Sequence, residues 1–386
     1  MTDKTHPTDP QGDLAKRFFR TVKEGDMDGA GALLSAAPLL VAAFDPDFYG
    51  GTALNIASSR GDLAMLDLLL EHGGDIDQKS EWWAGGFAPI HSIFWSRHDT
   101  MGPALIERGA TVDAHAAAGF GMIDRLTTLL DQDPSLVGQR GGDGQFPLHF
   151  AATTEVAGLL LDRGADIDAL DVDHVSSAAQ WAARDRPAVT RYLIDRGART
   201  DPFMLTAVGD VGRLGLALDE DPGLIDWRIN AEHYPTPGSE ALHIFGYTLG
   251  WEATLLHAAA RRDQTAVVHL LIDRGFDPAR RGDYDESTAL HTAAWEGSAS
   301  AAEALLDRGA PIDIASGDTH ENEPLGWAIV AGQSLLVRLL LDRGAPIHDH
   351  HVRNAAAGVA GEFQQWSSSP LETWSEIATM LEEGAH

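Results

Sequence analysis

Cysteine is absent from the chain, so neither a disulfide nor a thiolate contributes to its stability or chemistry. Basic residues are scarce. Lysine and arginine number 28 against 58 aspartates and glutamates, a formal charge of −30 over 386 residues. Such a field repels a phosphate backbone or an anionic bilayer, so no nucleic-acid and no membrane partner is expected. Long apolar runs are missing too. No stretch approaches a membrane span, and Met1–Asp13 is polar and proline-bearing, without the apolar segment of a secretory signal. A cytoplasmic location is the expectation. There is no glycine-rich phosphate loop, no His-Glu-x-x-His pair and no nucleophile elbow, so no cofactor is expected and catalysis leaves no motif.

What the chain has is repetition. Ser287–Ala310 reads as a turn, a short helix, a turn, a longer helix and a glycine stop. Thr288-Ala289-Leu290-His291 opens the first helix, Ala293 and Ala294 continue it, and Gly297 breaks it. In the second helix Ala301, Ala302, Leu305 and Leu306 fall on one apolar stripe. Gly309 suits a left-handed stop, and Arg308 sits at the negative helix end. A unit this short cannot bury its own stripe and needs copies on either side. Gly275, Gly309 and Gly344 recur close to the roughly 33-residue period of one repeat class.

The openings Phe146-Pro147-Leu148-His149, Ala88-Pro89-Ile90-His91, Thr254-Leu255-Leu256-His257 and Thr288-Ala289-Leu290-His291 share one pattern. With the Arg-Gly-Ala endings at Arg163, Arg196, Arg308 and Arg343, the chain resembles the ankyrin repeat family over nearly its whole length. The resemblance implies an all-α fold, an ankyrin-type solenoid of helix-turn-helix repeats with β-hairpin fingers. It implies that His91, His149, His257 and His291 are structural. It also implies that partners bind a concave face lined by fingers and first helices.

In order, the expectation is a disordered tail over 1–12 and a capping helix pair over 13–49. Repeats fill 50–225 and 253–347, and capping helices close the chain over 348–386. Asn55 stands where the signature histidine is expected, and an asparagine does similar turn chemistry. The repeat at Phe146–Asp168 is short, with its deletion around Thr153-Thr154. Residues 226–252 are an insertion. Ile225, Trp227 and Ile229 alternate with Asp226, Arg228 and Asn230, a strand pattern, and Ala241–Phe245 offers a return strand, so one long hairpin is expected.

The candidate binding residues on fingers and first helices are Trp82, Trp83, Trp95, His174, Arg184, Arg261, Arg262, Tyr284 and Trp295. The insertion adds Tyr234, Phe245, Tyr247 and Trp251. Exposed tryptophan and tyrosine are typical recognition anchors, whereas the same side chains packed between fingers would hold them rigid. For Trp181 and Trp327 packing is the expectation. Arg261 and Arg262, with Arg280 and Arg281, form either a local anion site or local pairs with nearby acids. His348, His350 and His351, beside Asp349, offer metal ligands in principle but read as a surface cluster. Asp173-His174 and Asp143 make an acid–base group if their fingers lie side by side.

These features support a binding scaffold that takes a protein or peptide partner on a concave, aromatic-rich face. The alternative is a small-molecule binder or enzyme, with an anionic ligand in a pocket between the 226–252 insertion and that face. If the insertion is a separate hairpin, a Gly-Ser turn in place of 228–250 should leave the fold intact.

Overall fold

The computed structural model describes residues 10–95, 100–236, 242–282, 286–317, 322–364, 367 and 369–384. The chain divides into two compact units. One is Met1–Ala182 with Asp195–Gly197, the other Ala183–Ile194 with Ala198–His386. Each is a stack of short antiparallel helix pairs, and among the described residues no helix is long and apolar enough to cross a membrane.

The repeat that begins at Ser287 shows how sequence makes the unit. Thr288 is extended and its turn leads into the inner helix Ala289–Glu296. Gly297 stops that helix at φ 79°, a left-handed value that carries almost no cost in glycine. The outer helix Ala299–Asp307 returns. Leu290, Ala293, Ala294, Ala301, Ala302 and Leu305 are fully buried. Small alanines on the inner helix let Leu255–Arg261 and Pro324–Val330 pack directly against it on either side.

Neighbouring repeats are joined through the signature histidine. In His291, Nδ1 accepts the Thr288 backbone N–H at 3.1 Å, and Nε2 lies 2.9 Å from the Asn322 carbonyl of the next finger. His257 repeats this with Thr254 and the Ser287 carbonyl at 3.1 Å. His149 does so with Phe146 and the Ser176 carbonyl at 3.1 Å. A nitrogen that faces an N–H must accept, so the proton sits on Nε2, which donates. Asn55 does the same work with an amide. Its Oδ1 accepts the Thr52 N–H at 2.8 Å and its Nδ2 donates to the Phe87 carbonyl at 2.9 Å. The repeat that opens at Glu323 has Gly326 in the histidine's place. There Glu323 meets His350 at 3.0 Å and His351 at 3.5 Å, and all three are buried. His350 and His351 are therefore not the surface cluster that their polarity suggests.

Three local expectations change in detail. The short repeat loses its residues from the inner helix, which is only Pro147–Phe150, and Thr153 then caps the outer helix with Oγ1 3.3 Å from the Val156 N–H. The fingers are turns closed by minimal pairing: the sheet of Phe44–Asp45 with Gly51–Thr52, and the bridges Leu170 to Ser177 and Arg281 to Thr288. Among its described residues, the insertion is hairpin-like at its base. Ile229 donates to the Ala253 carbonyl at 3.1 Å and accepts the Glu252 N–H at 2.9 Å. Beyond it, Asn230 Oδ1 accepts the N–H groups of Glu232 and His233 and turns the chain, which ends the extended run. The described part of the expected return strand is helical at Ile244–Phe245 and runs into a π-turn at Gly246–Gly250.

Leu305 sits in the contact between successive pairs, so Leu305→Ala should cost about 2–5 kcal/mol in urea unfolding. A loss below about 0.5 kcal/mol would place that side chain outside the core.

Candidate functional site

In the first unit, three fingers bring their tips together. Gly85 adopts φ 128°, and a Cβ there would meet the Gly141 carbonyl at 2.4 Å, so only glycine permits the approach. The Gly85 carbonyl then accepts the Asp143 N–H at 3.2 Å. Asp143 itself is left-handed, and its carbonyl accepts the N–H groups of Val172 at 2.9 Å and Asp173 at 3.2 Å. Backbone bonds thus place Asp143 beside the tip Asp171-Val172-Asp173-His174, the side-by-side arrangement that the acid–base reading requires.

The side chains at this junction are buried: Asp143, Asp171, Asp173 and His174. Asp171 Oδ1 accepts the N–H groups of His174 at 3.1 Å and Ser176 at 3.0 Å, while Oδ2 accepts Trp181 Nε1–H at 2.6 Å. Trp181 also meets the His174 ring edge-on at 4.9 Å, so it packs, as expected. Trp82 Nε1–H donates to Asp173 Oδ2 at 3.2 Å. His174 Nδ1 lies 3.7 Å from Asp171 and 3.9 Å from Asp173. Burial pushes the Asp143 carboxyl from 3.8 up to about 7, against the pull of His174 and with the push of Asp173 and Asp171. For His174 burial opposes protonation, but the three carboxylates outweigh it and raise its pKa. Asp171 is driven up by burial and down further by His174 and the Ser176 N–H, so it stays ionised.

Above this junction stands an aromatic ledge. Tyr49 meets Trp82 edge-on at 5.2 Å, and Trp82 lies 6.2 Å from Trp83. Tyr49 is 64% exposed and Trp83 55%. Tyr49 was not among the sequence candidates. The signal was its place before Gly50-Gly51, at the tip of the preceding finger. Trp95 belongs to the turn Ile93–Trp95, and its side chain lies outside the described residues.

In the second unit the candidates separate. Tyr234 is buried, with its hydroxyl 3.1 Å from Asp201 Oδ1 and its ring against Phe203, His243 and Phe245, so it is core rather than a surface anchor. Ile229, Phe245 and Leu249 are buried with it. The insertion is therefore part of the core, and replacing 228–250 by a short turn would uncover Phe203. Tyr247 is 61% exposed, Trp251 is half-buried, and Trp295 is half-buried against Trp327 at 5.9 Å. Tyr284 lies outside the described residues.

The arginines are paired locally. Arg261 meets Glu296, Arg280 meets Asp226 at 2.8 Å, and Arg281 donates to the Glu286 carbonyl at 3.0 Å. Arg184 lies 3.9 Å from Asp185. Arg262 Nη2 donates to the Thr248 carbonyl at 2.9 Å, so it pins the π-turn of the insertion. Burial lowers its pKa, with Arg261 adding and Glu296 opposing. Of the two readings of Arg261, Arg262, Arg280 and Arg281, these separate contacts fit local pairing, with Glu296 and Asp226 among the partners in place of Asp263.

Comparison with known proteins agrees with the repeat reading. The family described as ankyrin repeats (3 copies) matches residues 238–316 and 256–351, and the ankyrin repeat itself matches 49–81 and 143–172. Similar proteins include protein phosphatase 1 regulatory subunit 27 of Homo sapiens and of Mus musculus. Each is 28% identical over 116 residues, covering 30% of this chain and 70% of the relative.

The raised Asp143 pKa has a definite sign. The folded state keeps this proton to higher pH than the unfolded chain does. The contribution to stability is therefore full below about pH 3.8 and is lost as pH rises through about 7. Asp143→Asn mimics the protonated acid. In chelator-containing buffer it should be more stable than the parent by about 2–4 kcal/mol at pH 8, with the gain shrinking towards pH 4. Urea unfolding across that range checks this, and equal stability at pH 8 would show that Asp143 bears no such penalty.

Proposed function

We propose that this chain, an ankyrin-repeat protein, is a binding scaffold that takes a protein or peptide partner across its fingers. Ankyrin repeats generally mediate protein–protein interaction. The two similar proteins are named as regulatory subunits of a phosphatase, which supports a role in engaging another protein rather than in chemistry of its own.

The observation that carries the reading is the ledge of Tyr49, Trp82 and Trp83. Large aromatic side chains at an edge, held rigid by one another and by a bond from Trp82 to a buried carboxylate, lose little entropy on binding. They are where a hot spot is expected on the first unit. The charge of −30 favours a partner with a basic face, which would be steered towards the fingers at low salt. His174 and Asp173 contribute from beneath, by fixing the ledge. In the second unit Tyr247 and the half-buried Trp251 and Trp295 offer aromatic surface of that unit's own, with Arg184, Arg261 and Arg262 at their acids and carbonyls. The small-molecule reading has less support, because Tyr234, Phe245 and Leu249 fill the insertion's interior and the arginines it relied on are engaged.

The test is a partner identified by affinity purification on the full chain, followed by titration against Tyr49→Ala/Trp83→Ala. Both side chains are mostly exposed, so unfolding should shift little. Affinity should fall by at least about tenfold, or 1.4 kcal/mol. Unchanged affinity would remove the ledge from the binding surface.

A further inference from the structure

The junction beneath the ledge holds three buried carboxylates and one imidazole. The carboxylates outnumber the imidazole three to one. Isolated buried charge of one sign is expensive, and N–H donors from Trp82, Trp181 and the backbone offset it only in part. Asp171 is committed to four contacts in its own turn. Beside it stand Asp143, Asp173 and His174. One donor atom from each lies within 4.8 Å of the others, and they come from two fingers that the backbone already holds together.

We propose that Asp143, Asp173 and His174 bind a first-row divalent cation, zinc or manganese in class, which ties the two fingers under the aromatic ledge. Two carboxylates and an imidazole are a borderline-hard donor set that suits these ions better than calcium or copper(I). Metal–ligand bonds of about 2.0–2.2 Å need donor atoms nearer than those in the unliganded group. The proposal requires the three short side chains to rotate towards one another on binding. Asp171 lies outside the donors and within 3.7 Å of the imidazole, where it orients the ring. With the imidazole neutral, a dication among the three carboxylates takes the buried charge from −3 to −1. The other histidine-bearing cluster is less suited. His351 Nδ1 already accepts the His348 N–H at 3.1 Å, so its Nε2 must keep its proton.

The test uses the full chain, stripped with EDTA and titrated with zinc chloride and, separately, manganese chloride at neutral pH. Thermal unfolding and native mass spectrometry give the readouts. The expected result is one zinc ion per chain with Kd at or below about 10 µM and a rise in Tm. Asp143→Asn alone, which should fold because it mimics the protonated acid, weakens zinc at least about tenfold. Asp143→Asn/Asp173→Asn removes it, and Glu323→Gln leaves it in place. Cobalt(II) in place of zinc should give visible bands that the Asp variants lose. No binding at that concentration, or binding lost in Glu323→Gln and kept in the Asp variants, overturns the proposal. The ledge is tested separately, by titrating the protein partner against Tyr49→Ala/Trp83→Ala, since those two side chains contribute no donor to the ion.

Discussion

At a regular interface one imidazole joins a repeat to the next. It accepts from the N–H three residues before it and donates to a carbonyl one finger further on, at 2.9–3.1 Å in the regular cases. Each bond is worth only about 1 kcal/mol net, yet both ends are buried, and a buried amide or carbonyl left bare costs about 1–3 kcal/mol. The histidine therefore fixes register. It sets where each finger sits relative to the helix pair below, while the alanines at the inner-helix face set how close the pairs come. Where the residue changes, the device changes with it. Asn55 supplies one acceptor and one donor in the same places. Gly326 supplies neither, and a carboxylate from the same turn meets two histidines of the following helix instead.

The finger junction in the first unit follows from that constraint. His149 holds the Ser176 carbonyl, and Ser176 in turn bonds Asp171, so the tip from 171 to 174 is set from below. Gly85 and Asp143 set it from the side. Once the tips are fixed, their acids have no room to separate, and Asp143 rather than Asp171 takes the proton because Asp171 is met by two backbone N–H groups and an indole. The same rigidity holds Trp82 upright and presents Tyr49 and Trp83 beside it. A repeat scaffold thus converts a structural bond in its core into an ordered surface at its edge.

Much of this was legible in the residues. The helix pairs, their glycine stops, the structural histidines and the substitution at Asn55 follow from repeated spacing, because each repeat is read against its neighbours; the meeting of Asp143 with Asp173-His174 depended on fingers lying side by side, which spacing leaves open. The insertion had no neighbour to be read against. Alternation from Ile225 to Asn230 suits a strand, but the Asn230 side chain turns the backbone, and of the aromatics read as surface anchors Tyr234 is buried against Phe203 while Tyr247 stays exposed. The arginines near 261 and 280 were ambiguous for a related reason: their partners, Asp226 and Glu296, are distant in sequence. Tyr49 was missed because its role depends on the edge of Trp82, which no local pattern announces.

The account rests on the histidine bridge as the organiser of the fingers, and hydrogen exchange on His149→Ala addresses it most directly. With the bridge removed, amides from Asp171 to Ser177 should lose protection by at least about tenfold, while the outer helix Thr154–Asp162 keeps most of its own. Unchanged protection at the tip, or a loss spread evenly over the helices, would show that the fingers are held by something other than the imidazole.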